Sequence, residues 1–179
     1  RILYGSNLVV KFFMEKILLY WMLPLSWAAF IFYTSSMPAS EQDIKPALSF
    51  LAIAETLEPV LRLFEFQYYG EVRSVEANGL LPFTEFLIRK LAHFGVYFVL
   101  ALLVFFAMHQ TTSLTMRGKL IFSWLLTVHF AIIDELNQSF TPERTPYYMD
   151  VVIDSVGALV ALVIVWGVGW WRGRRRSTN

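Results

Sequence analysis

The 179 residues carry fifteen Lys and Arg against fourteen Asp and Glu, and 56% of them are apolar, 17% aromatic. Charged residues, at 16%, fall well below the quarter or so usual in soluble domains, and mean hydropathy is +0.52, so the chain reads as a multi-spanning membrane protein. There is no cysteine, which excludes disulfides and thiolate metal sites.

The sequence opens on Arg1 rather than Met, so its natural start is expected to lie upstream. The first apolar run is too long and aromatic-rich for a cleaved signal peptide. Four runs approach the roughly 20 residues needed per helical crossing: Ile17–Tyr33, Leu87–Met108, Lys119–Phe140 and Met149–Trp171. The expected fold is an all-α, four-helix transmembrane bundle, one domain over residues 1–179. Trp21, Trp27, Trp166, Trp170 and Trp171 lie near the ends of these runs, as an interfacial aromatic belt would have them. Pro24 is a candidate kink in the first helix.

Orientation follows from the basic residues. With both termini inside, Arg1, Lys11, Lys16, Arg117, Lys119, Arg172, Arg174, Arg175 and Arg176 are cytoplasmic, nine of the fifteen. That satisfies the positive-inside rule, although Arg89 and Lys90 run against it. The tail "RGRRR" is explained by this orientation and gives no case for nucleic-acid binding.

Residues 38–86 are too charged to span and form the expected extracellular segment. Within it, Leu57, Leu61 and Phe64 share one helical face and Glu58, Arg62 and Glu65 the other. This reads as an amphipathic helix, lying on the outer leaflet or packed on the loops. "NGLLPF" at Asn78–Phe83 is a turn signal before the second crossing.

The stretch "DELNQSFTPERTPYYMDVVID", Asp134–Asp154, places acids between two apolar runs. From Lys119 to Asp134 a helix rises about 24 Å, short of the roughly 30 Å hydrocarbon core. Asp134, Glu135 and Gln138 therefore sit within the outer leaflet, as do Asp154 and, on the second helix, His93. An exposed charge in lipid costs about 3 kcal/mol even on lenient scales. These groups must face the bundle interior and pair, bind a cation or lose their charge. Spacing supports convergence: Glu135 and Gln138 share a face, and Asp150 and Asp154 form one stripe of the fourth helix. Pro142 and Pro146 stiffen the hairpin that holds Arg144, whose guanidinium suits a carboxylate or phosphate.

Each residue also has a plain structural reading. Glu135, Arg144 and Asp150 suit a salt-bridge network, His93 a satisfied interior histidine, and Arg89 and Lys90 snorkelling cations. Tyr147 and Tyr148 suit belt aromatics, and Gly157, with Ala158 and Ala161, close helix packing. A transporter has little support, since neither an internal repeat nor paired helix breaks are present.

"RKLAHFGVYFVLALL" at Arg89–Leu103 and "DELNQSFTPERTPYYMDVVIDSVGALVA" at Asp134–Ala161 resemble the VanZ-like family of small bacterial membrane proteins, as does the first crossing's end, "IFYTSSMPAS". Lys90, His93, Glu135, Gln138, Arg144, Asp150 and Gly157 fill the places of the family pattern; Asp154 departs from it, standing where Asn is more usual. The resemblance implies the plasma membrane of a bacterium and a link to low-level resistance to teicoplanin, a lipid-tailed glycopeptide, without remodelling of the peptidoglycan terminus.

Two functions are carried forward. In the first, an outer-leaflet polar pocket of Lys90, His93, Glu135, Gln138, Arg144, Asp150 and Asp154 binds or shields a lipid-linked anionic head group, such as a cell-wall precursor, or a lipoglycopeptide. In the second, the chain is an intramembrane hydrolase or transferase acting on a lipid-linked cell-envelope substrate. There Glu135 or Asp150 is the general base, His93 acid or base, and Arg144 a stabiliser of developing charge. No cofactor is expected; a divalent cation on His93, Glu135, Asp150 and Asp154 is the metal variant.

Overall fold

The computed structural model describes residues 2–38, 48–142 and 144–177. Arg1 and Glu143, and residues 39–47 of the expected extracellular segment, lie outside them. In chain order the elements are α1 (Ile2–Ser35), α2 (Leu48–Leu61), β1 (Phe66–Tyr68), β2 (Glu71–Arg73), α3 (Val75–Asn78), α4 (Leu80–Thr111), α5 (Met116–Gln138) and α6 (Tyr148–Ser177).

Four helices are long and apolar enough to cross a membrane, over Met14–Ser35, Leu80–Thr111, Met116–Gln138 and Tyr148–Arg175. At most 33% of any of these spans is buried within the protein, so most of their apolar surface faces outward. Water would penalise that surface and lipid would not. The chain is a multi-pass membrane protein of mostly helical structure.

Helix limits differ from the apolar runs for local reasons. α4 begins at Leu80, because Gly79 turns the chain with φ 86° and Pro82 falls in the first turn, where its missing N–H costs nothing. α5 stops at Gln138 rather than reaching Phe140, and the Ser139 amide closes the last turn on the Glu135 and Leu136 carbonyls.

The expectation of purely helical structure needs one correction. β1 and β2 pair antiparallel, Phe66 opposite Arg73 and Tyr68 opposite Glu71, leaving Tyr69-Gly70 as a two-residue loop. Both loop residues have positive φ, 59° and 77°, the condition of the tight hairpin turn that matches strand twist. α2 ends at Leu61; among its side chains described, Ala54 and Leu61 are buried, seven apart, while Leu57 and, beyond the helix, Phe64 are exposed. Leu61 packs with Val75 and Phe83 beneath the hairpin. On the polar side Arg62 bridges Glu58 and Glu76, each at 2.7 Å.

α4 is the central helix, packed on α1, α5 and α6. Against α6 it uses small residues: Ala101, Ala158 and Ala161 are wholly buried, and Gly157 lies against the Phe94 carbonyl with no room for a β-carbon. Such residues let helix backbones approach closely where lipid supplies no hydrophobic drive. Against α1 and α5 it packs Tyr97, Leu100, Val104 and Met108 with Ile31 and Ala131. Trp21 and Trp27 tie α1 to α4, donating to Thr111 Oγ1 at 3.2 Å and to the Val96 carbonyl at 2.9 Å. Both are thus packing residues between α1 and α4. Trp166, Trp170 and Trp171 stay exposed.

Candidate functional site

All the polar residues singled out in the sequence gather at the end of the bundle that carries the hairpin. Asp134, Glu135, Gln138, Asp150 and Asp154 are each less than a tenth exposed. Their helices deliver them by spacing. Asp134 and Gln138 lie one turn apart on α5, Asp150 and Asp154 one turn apart on α6, and Lys90, His93 and Tyr97 follow one stripe of α4.

Asp134 centres the first group. Its Oδ2 accepts from Ser35 Oγ at 2.8 Å, Tyr97 Oη at 3.0 Å and Gln138 Nε2 at 3.4 Å. Three elements thereby supply donors to one oxygen of a buried carboxylate, which unpaired would be costly; the other oxygen, Oδ1, is buried without a hydrogen-bond partner among the described residues. Gln138 passes the network on, its Oε1 accepting from Arg144 at 3.3 Å, while Arg144 Nε donates to the Met37 carbonyl at 3.2 Å. Arg144 is thus fixed between α1 and α5. Burial, and then the nearby charge of Arg89, lower its pKa from the usual guanidinium value.

Asp150 centres the second group. Its Oδ1 accepts both from Lys90 Nζ in a short ion pair and from Tyr68 Oη at 2.6 Å. Lys90 Nζ also lies 4.7 Å from the centre of the Tyr68 ring, within cation–π range. The Tyr68 ring meets those of Phe86 and Tyr147 edge to face. Burial first, and the bond to Asp150 second, push the Tyr68 phenol pKa up. Glu135 accepts the backbone N–H of Tyr147, so it holds the chain's entry into α6.

The third group is a pair. His93 Nδ1 stands 3.6 Å from Asp154 Oδ1, and among the described residues neither atom has a hydrogen-bond partner.

Beside these groups a cavity of about 360 Å³ opens between α1 and α4. Phe30, Ile31, Ala92 and Val96 give it apolar walls; Arg89, His93 and Arg144 give it a basic one. Of the residues named from sequence, His93 and Arg144 line it, and Arg89, read there as a snorkelling cation, joins them. Lys90, Glu135, Gln138, Asp150 and Asp154 stand behind as supports. Among the described residues no three of His, Asp and Glu converge in a geometry that would hold a metal ion, so the divalent-cation variant has no preformed cage.

Sequence reasoning missed Ser35, Tyr97 and Tyr68. Tyr97 had a signal, the seven-residue spacing from Lys90 through His93 on α4. Ser35 and Tyr68 had none, because their partners are 99 and 82 residues away.

Among curated proteins and among solved structures, none matches this chain significantly. A family model described as VanZ/LLP1 matches residues 19–171, from the middle of α1 to near the end of α6, and takes in all three polar groups and the cavity. The chain belongs to the VanZ/LLP1 family.

Proposed function

We propose that this protein binds the anionic head group of a membrane lipid, or of a lipid-tailed glycopeptide, in the cavity between α1 and α4. The carrying observation is that Arg89 and Arg144 line one cavity whose other walls are apolar. Arg89 is close enough to disfavour the charge of Arg144, and an anion between the two guanidiniums relieves that. Each already has a neighbour, Glu85 at 2.7 Å for Arg89 and Gln138 for Arg144, which aims it; the ligand's phosphate adds to those bonds. A head group on the basic wall and an acyl chain along Phe30, Ile31 and Val96 match the site's two chemistries.

With the termini inside, Arg117, Lys119, Arg172, Arg174 and Arg175 fall on the cytoplasmic side, as the positive-inside rule asks, and the cavity then lies at the outer face of a bacterial plasma membrane. Exposed Leu57, Val60, Leu63 and Phe64 suit a segment resting at head-group level. Shielding a lipid-linked precursor, or holding the antibiotic's lipid tail, would give low-level teicoplanin resistance without altering the peptidoglycan terminus.

The test is binding by the full chain in phosphatidylcholine nanodiscs, offered phosphatidylglycerol, a polyprenyl phosphate or teicoplanin. Anionic ligands should bind at least about tenfold better than added phosphatidylcholine, and Arg89→Ala and Arg144→Ala should each remove most of that difference. Equal binding of neutral and anionic lipids would sink the reading. In cells, both substitutions should lower tolerance of teicoplanin and leave tolerance of a tail-less glycopeptide unchanged.

A further inference from the structure

The cavity's basic wall contains an imidazole backed by a carboxylate. His93 turns Nδ1 inward, to within 3.6 Å of Asp154 Oδ1, with side-chain exposures of 22% and 3% respectively. Both atoms are buried without a hydrogen-bond partner among the described residues. Such atoms are rare, and each calls for an explanation. A closure of well under 1 Å would bring them into bonding range. The same ring lines the cavity beside Arg89 and Arg144, so a bond from Nδ1 to Asp154 leaves Nε2 as the nitrogen available to a ligand.

The other acids are differently placed. Glu135 holds the Tyr147 amide, Asp150 holds Lys90 and Tyr68, and Asp134 has three donors on one oxygen. None of these three lines the cavity. The Asp154–His93 pair alone joins a buried carboxylate to a cavity-lining base, the arrangement that fixes an imidazole's tautomer and steadies its charge as it takes a proton.

We propose that Asp154 positions His93 as the general base of a hydrolase that removes the terminal phosphate of a lipid diphosphate held in this cavity. The inference rests on the reading of the cavity as an anionic-lipid site. A water oxygen bonds to the terminal phosphorus while the bond from that phosphorus to the bridging oxygen breaks, its electron pair leaving with the lipid monophosphate. The water's proton passes to His93 Nε2 and then to the released inorganic phosphate or to solvent. No atom changes oxidation state. Arg89 and Arg144 hold the phosphoryl oxygens as charge shifts toward the bridge.

The choice of diphosphate over monophosphate follows from the lining. Thr34 and Ser35 are the cavity's hydroxyls, and Ser35 already donates to Asp134. His93 is then the one lining residue described whose side chain offers an imidazole base. A single base serves a reaction whose leaving group departs as a stable anion. A lipid phosphate does so; an alkoxide needs a proton from a second group.

The experiment uses the purified full chain in nanodiscs, with farnesyl diphosphate and phosphatidic acid as probes, reading binding and phosphate release separately. Release is expected from the diphosphate and not from phosphatidic acid. His93→Gln should lower kcat at least about 100-fold, within the usual span of general-base effects. Asp154→Asn, an isosteric change that removes the charge, should lower kcat about tenfold or more and leave KM within about threefold. A purely structural role would not separate kcat from KM, and matched elution and melting temperature show that each variant is folded. Binding without release, or full turnover by His93→Gln or Asp154→Asn, overturns the inference and leaves the binding site standing. Equal release from phosphatidic acid overturns the substrate class. Failure of either lipid to bind overturns the binding reading and this inference with it.

Discussion

Gly157 of α6 lies so near the Phe94 carbonyl of α4 that a β-carbon at 157 would overlap it. The obstacle is backbone, so no side chain can swing aside. Gly157→Ala must push apart the two helices that carry His93 and Asp154. Overpacking of this kind costs about 1–3 kcal/mol, to be read as a lower unfolding midpoint in detergent. Gly169→Ala is the control: its β-carbon would meet only the tip of Met116 at 3.7 Å, an ordinary contact, and the midpoint should stay put.

Lys90 and Asp150 form an ion pair with side chains 20% and 11% exposed. Truncating one partner of a largely buried pair leaves the other uncompensated, at a cost of about 3–5 kcal/mol. Lys90→Met and Asp150→Asn should each destabilise strongly, and the double variant should lose much less than their sum. A double-mutant cycle measures the coupling; additive losses would mean that the pair contributes no more than its separate packing.

Those two relationships also show what the sequence could disclose. Lys90, His93, Asp150, Asp154 and Gly157 were legible because helix periodicity puts them on inward faces and because charge at leaflet depth demands partners. The four spans were legible from apolar length. The cavity was not, since it is a gap between α1 and α4 and depends on where Arg89 points, a matter of tertiary packing. The hairpin was hidden by its short strands and by its loop, Tyr69-Gly70 between "FQY" and "EVR", which is not one of the usual two-residue turn pairs. Partner choice was hidden for a simpler reason: periodicity says that Asp150 must be satisfied, not that Tyr68, 82 residues away, supplies the bond.

Tyr68 links the hairpin to the site, and its phenol pKa is raised by burial and by the bond to Asp150. A raised phenol pKa means that the folded protein favours the neutral form. Below the unfolded pKa of about 10 both states keep the proton, and the bond's stabilisation is fully present. Above it the unfolded chain releases a proton that the folded one retains. Stability should therefore fall by about 1.4 kcal/mol per pH unit from near pH 10 upward. Tyr68→Phe should cost about 1–2 kcal/mol at pH 8 and flatten that part of the alkaline slope. It should also speed amide exchange across residues 66–73, since the hairpin loses its tether to α6. An unchanged slope in the variant would show that Tyr68 is not the titrating group.

Arg144 is held by its fork, with Nε on the Met37 carbonyl and a terminal nitrogen on Gln138 Oε1. A lysine carries the charge but not the planar geometry, so it cannot reach both acceptors and still face the cavity. Arg144→Lys should keep the attraction for a phosphate while losing about 1 kcal/mol of the tie between α1 and α5, the scale of one hydrogen bond. Lipid-phosphate affinity should drop roughly three- to tenfold, less than for Arg144→Ala, because the ammonium is present but poorly aimed. Calorimetric titration of the three proteins in nanodiscs, at two salt concentrations, separates charge from aim. If charge alone mattered, Arg144→Lys would match the parent protein at both. If aim matters, it falls between the parent and the alanine variant at both, and salt weakens parent and lysine variant alike.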